Sequence, residues 1–285
     1  MKILFYTIAF SSIHQVIDLY NSLIRYKAEL DFLVIDHSDG NLDMSSFKKD
    51  YDSINVISQK NCGYSGAFNA ALSYAHKNNF THLVHINDDV KLFENTINNL
   101  INNSYFENDV LTGCEYNKKN QIVSFGSQLN YITGILTWNN SKSSEIIRSF
   151  SNQGALFSIP VRHFLYFKLP NLFMYCEELY FGLFMKKKNI RCFALPGVEY
   201  IHDGAPIKNE LSDFKIYYIT RNKYIVFREM TSTLYCIYVF IFLTIRGILN
   251  LIYRFLQFKF TYSINLFFGI IHGFTNKRGM HNFKK

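Results

Sequence analysis

The sequence predicts an α/β fold in which helices flank a mixed, mainly parallel β-sheet, with a helical appendage at the C-terminal end. Short apolar runs alternate with segments of helical periodicity, which is typical of β-α-β units. Acidic residues close two of these runs, where open parallel sheets bind their ligands. After about residue 230 the chain becomes apolar, aromatic and basic, which indicates a separate part.

The first half contains three predicted strands and two predicted helices. The strands are 3–10, 32–36 and 82–87, and the helices are about 12–26 and 66–77. The first run could instead belong to a secretory signal peptide, but no cleavage site of A-x-A type follows it, so we expect a buried strand.

The second half alternates differently. Glycine turns between 108 and 160 indicate shorter strands in an antiparallel or mixed extension. Helical periodicity returns at 173–187 and at 212–229, where Ser212 is the expected N-cap, with a strand-like segment at 191–202 between them. We expect a catalytic domain over 1–229 and a helical tail over 230–285.

Charge and cysteine content restrict the function classes. The net charge is +8, and the tail from Met230 to Lys285 holds seven Lys or Arg and no Asp or Glu. These basic residues are interleaved with Leu, Ile and Phe, which disfavours nucleic-acid binding. Five scattered cysteines without a C-x-x-C pair argue against a disulfide framework or a structural zinc, so we expect a reducing compartment.

The strongest local signal is Asn87-Asp88-Asp89, which leaves an apolar strand directly. Mg²⁺ and Mn²⁺ take oxygen ligands and commonly bind one or two carboxylates plus substrate phosphates. A bound cation would neutralise a diphosphate leaving group. The alternative is a solvated turn whose Asp caps a helix beginning near Phe93.

Two further segments are weaker signals by themselves. The loop 61–69 contains glycines and enters a helix, and helix N-termini present free N–H groups to polar ligands. Glu177 and Glu178 begin an apolar helix, and His202 follows at a strand end. One of the two glutamates could be a base, or both could be solvated acids that stabilise the helix dipole.

In this order and spacing, the motifs over residues 2–229 resemble the family 2 inverting glycosyltransferases, which have a GT-A type Rossmann-like fold. The resemblance is to the bacterial surface-polysaccharide branch, similar to rhamnosyltransferases and galactofuranosyltransferases. The family's N-x-G-[FY]-[AGS]-G-x-x-N loop matches 61–69, and its N-P-D-V form of the metal motif matches 87–90. The family's E-D pair corresponds to 177–178, and its N-G-A strand corresponds to 153–155. Its late His corresponds to His202, and its R-N pair to 221–222.

The resemblance implies a role for each matched residue. Glu178, in place of the family's Asp, would be the catalytic base, and Asp89 with His202 would bind Mn²⁺ or Mg²⁺. Donor contacts would come from Asp36, Asn61, Gly63, Tyr64, Gly66, Asn69, Asp88 and Arg221. The acceptor side would comprise Gln153, Gly154 and Glu177. The donor would be a nucleotide-diphosphate sugar, UDP- or dTDP-linked, and the acceptor a glycan on a lipid.

The tail indicates a membrane surface. Arg246 and Arg254 interrupt its apolar run before about 20 residues accumulate, so we expect an interfacial helix rather than a span. The location would be cytoplasmic, peripheral on the inner face of the cell membrane. The alternatives are a helix pair packed on the catalytic domain and a homodimer contact. A catalytically inactive nucleotide-sugar-binding or scaffold protein is the competing function, because the base position is substituted. A nucleotidyltransferase is discounted, because the first turn lacks its glycine-rich, basic loop.

Overall fold

The computed structural model describes residues 1–25, 30–204 and 212–281. Within them the strands are β1 Ile3–Ala9, β2 Asp31–Asp36, β3 Asn55–Ser58, β4 His82–Ile86, β5 Val90–Leu92, β6 Val110–Tyr116, β7 Ile122–Phe125, β8 Ser127–Asn130, β9 Ile135–Trp138, β10 Ile147–Ser149, β11 Leu156–Pro160 and β12 Cys192–His202. The helices are α1 Ile13–Ile24, α2 Met44–Asp50, α3 Gly63–Lys77, α4 Thr96–Ile101, α5 Glu177–Lys188, α6 Asp213–Met230, α7 Thr233–Leu256 and α8 Phe260–Phe274, with a 3₁₀ turn at Val161–Phe164.

The main sheet has the order β10-β12-β6-β11-β4-β1-β2-β3. Strands β3, β2, β1 and β4 are parallel, as the β-α-β pattern predicts. Strand β11 runs antiparallel between β4 and β6, and β12 is parallel to β6. Strand β5 pairs with the end of β12, β7 pairs with β6, and β8 and β9 form a separate hairpin.

The core lies on both faces of this sheet because β1 is apolar at successive positions. Ile3 and Phe5 pack with Val16 of α1, whereas Leu4 packs on the opposite face with Ala67 of α3. Alternation of side chains along a strand explains this division. The face of α3 that packs on the sheet contains alanines, whose small side chains let the helix lie close to the sheet.

Most predicted elements are confirmed within a few residues: β1, β2, β4, the short strands between 108 and 160, β12, α1, α3 and α6. Ser212 caps α6, since its side chain accepts a hydrogen bond from the Lys215 backbone N–H at 3.4 Å. Strand β3 and helix α2 were not predicted. Helix α5 begins at Glu177, not at 173 as predicted, because Phe173, Tyr175 and Cys176 have positive φ angles.

Helix α8 packs against α6 through glycines. A Cβ on Gly269 would lie 2.9 Å from the Tyr217 carbonyl oxygen, and one on Gly273 would lie 2.5 Å from the Tyr224 ring. Helix α7 is mostly exposed, and its length and composition would suffice to cross a membrane. Interfacial binding therefore stays a prediction, as does the domain boundary at 230, and the tail's last residues, 282–285, lie outside the described residues.

Candidate active site

The acidic turn after β4 lies beside the end of β12. Strand β5, which follows the turn, pairs antiparallel with β12 so that Val90 is opposite His202. His202 Nε2 lies 3.3 Å from Asp89 Oδ1 and 3.4 Å from Asn87 Nδ2. Helix α4 begins only at Thr96, so the alternative in which this turn caps a helix near Phe93 is wrong.

Glu115 is a site residue that the motif reading missed. It lies on β6, next to β12, and its Oε1 is 2.6 Å from His202 Nδ1. A carboxylate on one imidazole nitrogen fixes the ring so that the other nitrogen faces the ligand. The available signal was a single acidic residue within the apolar strand Val110–Tyr116, which argues for a buried, paired carboxylate.

The electrostatics of this cluster are mutually supporting. Burial lowers the pKa of His202, but its hydrogen bonds and ion pairs with Asp89 and Glu115 outweigh burial and raise that pKa to about 10. Burial raises the pKa of Asp89, but the hydrogen bond and the charge of His202 lower it below its ordinary value. Burial, together with the charge of Asp89, raises the pKa of Asp88 to about 7.

The cluster fits a divalent cation in part. Asp89 offers a carboxylate oxygen, and His202 offers an imidazole nitrogen, oriented by Glu115, once a cation displaces the proton that His202 shares with Asp89. Within residues 1–25, 30–204 and 212–281 there is no set of three His, Cys, Asp or Glu arranged to hold a metal. A cation here would therefore complete its shell with water and diphosphate oxygens, which is the usual pattern for Mg²⁺ at phosphate substrates.

The start of α5, which contains Glu177 and Glu178, contacts the segment before β11 through Glu178. A Cβ placed on Gly154 would lie 2.7 Å from Glu178 Oε1, so the carboxylate packs directly against this glycine. The Ser151 hydroxyl donates to the Glu178 carbonyl oxygen at 2.5 Å. Gln153 Oε1 accepts from the Tyr200 hydroxyl at 2.8 Å. The predicted acceptor-side residues and the predicted base are thus brought together.

Glu177 is buried and Glu178 is half-buried, and this changes the acidity of both carboxyl groups. Burial, together with the neighbouring charge of Glu178, raises the pKa of Glu177 to about 8. Burial also raises the pKa of Glu178, with a smaller contribution from the charge of Glu115. Glu115 is therefore electrostatically linked to the base position as well as bonded to His202. A carboxylate with a raised pKa accepts a proton more readily than an exposed one.

The loop before α3 is shaped by local contacts. Asn61 Oδ1 accepts from the Gly63 backbone N–H at 2.9 Å. Gly63 has φ +75°, and a Cβ there would lie 1.9 Å from the Phe173 carbonyl oxygen. A Cβ on Gly66 would lie 2.1 Å from the Cys62 sulfur. The glycines therefore allow the loop to approach the segment before α5. The Tyr64 ring lies next to that of His85, with centroids 5.3 Å apart.

Asp36 is placed at the same end of the sheet as the cluster of Asp89, His202 and Glu115. Its side chain is buried, and Oδ1 accepts from the Ser38 backbone N–H at 2.9 Å. Strand β2 is two positions from β4, which corresponds to about 10 Å across the sheet. Because Asp36 ends strand β2 at this distance from Asp89, its position is compatible with the predicted contact to the base of a nucleotide whose diphosphate lies near Asp89.

Two predicted donor contacts have other uses in this structure. Arg221 is 0% exposed, and its guanidinium donates to the carbonyl oxygens of Leu172, at 2.5 Å, and Gly279, at 2.7 Å. It therefore joins two chain segments, and its predicted donor contact stays a prediction. Asn69 exchanges two hydrogen bonds of 2.9 Å with the backbone of Leu169, so its amide is also occupied.

Comparison with known proteins supports the fold. No protein-family model matches the sequence, and no curated protein sequence matches it either.

Among solved structures, GalNAc-T7 with UDP, GalNAc and Mn²⁺ has a TM-score of 0.61 at 11% identity over 80% of this chain, but the match covers only 48% of that protein. S. aureus TarS 1–349 in complex with UDP has a TM-score of 0.53 at 15% identity, covering 85% of this chain and 71% of TarS 1–349. The mannosyltransferase PcManGT of Pyrobaculum calidifontis, in complex with GDP-Man and Mn²⁺, has a TM-score of 0.53 at 9% identity over 97% and 88% of the two chains. The chain therefore has the GT-A type fold of these glycosyltransferases.

Proposed function

We propose that the chain is an inverting, divalent-metal-dependent glycosyltransferase of the family 2 type, which moves a sugar from a UDP- or dTDP-linked donor to a glycan acceptor. The observation that carries the proposal is one arrangement on a GT-A type fold. Asp89, His202 and Glu115 form a linked cluster where β5 pairs with the end of β12, and the half-buried carboxylate of Glu178 lies over Gly154. Transfer needs both groups, one for the diphosphate and one for the acceptor hydroxyl.

On the donor side, Asp36 would contact the base and the loop 61–66 would shape the sugar pocket. Asp89 and His202 would hold Mn²⁺ or Mg²⁺, which when bound stabilises negative charge on the diphosphate. Glu115 keeps the His202 ring oriented through the hydrogen bond to Nδ1. Asp88, whose pKa is raised by burial and by Asp89, would add charge at this edge only when ionised.

On the acceptor side, Glu178 would take the proton from the attacking hydroxyl. The acceptor oxygen then bonds to the anomeric carbon while the bond to the diphosphate oxygen breaks, and the electron pair leaves with the diphosphate. Attack from the face opposite the leaving group inverts the configuration. Gln153, Gly154 and Glu177 would line the acceptor. Burial favours this base, because it raises the pKa of Glu178 toward the range of a useful proton acceptor.

The acceptor would be a lipid-linked glycan in bacterial surface polysaccharide assembly, at the cytoplasmic face of the membrane. The supporting observation is the exposed apolar surface of α7 and α8 together with the basic, carboxylate-free tail. A protein that lies on a membrane meets a lipid-linked substrate in two dimensions rather than three.

Binding and transfer are tested in order. The melting temperature should rise with one of UDP, dTDP, GDP or CDP in the presence of Mn²⁺, and chelator or Asp89→Ala should abolish the rise. Asp50→Ala, an exposed acid at the end of α2, is the matched control and should keep it. No shift with any of these nucleotides would contradict the proposal.

Glu178→Gln tests the base. Transfer should fall by about 10² to 10⁴, while the nucleotide-dependent melting shift stays. Unchanged turnover would refute the assignment of Glu178. A wild-type chain that binds a nucleotide with Mn²⁺ but neither transfers nor hydrolyses any nucleotide sugar would favour a non-catalytic nucleotide-sugar-binding or scaffold protein.

A further inference from the structure

A cavity of about 200 Å³ lies between the last helix of the catalytic part and the two tail helices. It is smaller than the about 300–1,000 Å³ of typical sites for drug-sized ligands, so its volume suits a small group. Its polar lining comes from Thr220, Lys223 and Tyr224 of α6, Arg246 and Asn250 of α7, and Tyr262 of α8. Three helices thus place two cations and four neutral polar side chains around one space.

The two cations lack a carboxylate. In the described part of the chain neither Lys223 nor Arg246 forms a salt bridge, and the charges that act on Lys223 are those of Arg246 and the Cys176 thiol. Burial lowers the pKa of Lys223, and the positive charge of Arg246 lowers it further. Two like charges facing one cavity are unfavourable unless an anion joins them. Arginine and lysine together are the residues that proteins use to bind phosphate groups.

Arg246, which lines the cavity, has exposed apolar neighbours on α7. Arg246 is exposed on α7, and its neighbours Ile245, Ile248 and Leu249 are 56%, 48% and 63% exposed. Exposed apolar side chains of α8, such as Phe267 and Phe268, continue this surface. A free phosphate ion would use the cations alone. A phospholipid would use both features, since its headgroup is anionic and its chains are apolar.

We propose that the cavity between α6, α7 and α8 binds the phosphate headgroup of an anionic membrane lipid, with Lys223 and Arg246 as the phosphate ligands. The lipid chains would lie against the exposed apolar residues of α7. The absence of Asp and Glu after Glu229 removes any repulsion of the anionic leaflet by the tail. The site would orient the catalytic part on the bilayer, and it does not depend on the proposed transferase activity.

Vesicle flotation of the full chain tests the site. Wild-type protein should bind vesicles of phosphatidylcholine with phosphatidylglycerol at least tenfold more tightly than vesicles of phosphatidylcholine alone. Lys223→Gln and Arg246→Gln should each lower binding to the anionic vesicles tenfold or more. Asn250→Phe fills the cavity without a change of charge, and it should also lower binding tenfold.

Lys259→Gln is the matched control, because it removes one exposed charge of the same tail outside the cavity. General attraction to an anionic leaflet predicts a loss of up to about fivefold for such a change. Equal losses for Lys223→Gln and Lys259→Gln, with wild-type binding by Asn250→Phe, would overturn the proposal.

Two further readouts separate folding and ligand source from the site itself. Melting curves show whether each variant folds. Lys223→Arg keeps the charge and should bind anionic vesicles like the wild type. Binding by Lys223→Arg as weak as that of Lys223→Gln would count against the phosphate contact. A melting shift with inorganic phosphate that equals the shift with anionic vesicles would identify a free-phosphate site and overturn the lipid assignment.

Discussion

Replacing Glu177 by Gln should stabilise the protein, and more so at neutral than at acidic pH. The Glu177 side chain is 4% exposed and its Oε1 has no hydrogen-bond partner among the described residues. Burial, with the charge of Glu178, raises its pKa from 4.5 to about 8. An unfolded chain would ionise this carboxyl at its ordinary pKa, so ionisation favours the unfolded state.

The sign and size follow from linkage. Below about pH 4 the carboxyl is neutral in both states and contributes no pH dependence. As pH rises from about 4.5 to about 8, the folded state loses stability, and above that range the loss is constant. A pKa difference of about 3.5 corresponds to a full effect of about 5 kcal/mol, of which about 3 kcal/mol falls between about pH 5 and pH 7.

The assay is a set of melting curves of wild type and Glu177→Gln across this pH range, without nucleotide. At roughly 2 °C per kcal/mol for a chain of this size, the gain in melting temperature should be about 5 °C larger at about pH 7 than at about pH 5. Glu94→Gln, an exposed acid, is the control and should show no such difference. A gain that is absent or equal at both pH values would refute the burial argument.

Three other perturbations have defined outcomes. Glu115→Gln should weaken Mn²⁺ binding, measured by titrating the nucleotide-dependent melting shift, by roughly 10- to 100-fold, because the His202 ring loses its fixing carboxylate; an equal loss in Glu199→Gln, on the adjacent strand, would contradict this. Arg221→Met should lower the free energy of unfolding in urea by about 3 kcal/mol, because its hydrogen bonds to backbone carbonyls are lost. The nucleotide Kd should stay unchanged at low temperature. Normal stability with lost nucleotide binding would instead support a contact between Arg221 and the donor. Gly269→Ala should cost about 1–3 kcal/mol of unfolding free energy, since its Cβ would collide with the α6 backbone; an unchanged urea midpoint would contradict that packing.

The parallel half of the sheet could be predicted because its strands are buried on both faces. Strands β1, β2 and β4 are continuous apolar runs, and no helical period competes with them. Strand β3 has four residues, all at least partly exposed, so its sequence Asn55–Ser58 carries little hydrophobic signal. The start of α5 was misplaced because Phe173–Cys176 continues the apolar period of the helix while its backbone leaves the helical region.

The candidate site residues also differ in how far the sequence alone could predict them. Asp89 and Glu178 could be selected as candidates because each lies at a boundary between elements that the sequence itself marks. Glu115 could not, because its partner His202 is 87 residues away and the pair depends on the parallel register of β6 and β12. Whether Arg221 faces a ligand or the interior likewise depends on where Leu172 and Gly279 lie, and no local pattern specifies that.

The turn before α5 shows which structural role the pair Arg221–Asn222 has. Three non-glycine residues between 173 and 176 have φ angles of 67°, 68° and 72°, and such conformations cost about 1–3 kcal/mol each unless the surroundings impose them. The Asn222 amide nitrogen lies 3.1, 2.7 and 2.8 Å from the carbonyl oxygens of Leu172, Met174 and Tyr175.

Arg221 donates to the same Leu172 carbonyl, and Gly63 leaves room for that of Phe173. Without these contacts, the apolar period would extend the helix back toward residue 173, and the first turn that holds Glu178 would change direction. The pair Arg221–Asn222 therefore holds the strained turn from which α5 begins, and the first two residues of that helix are Glu177 and Glu178.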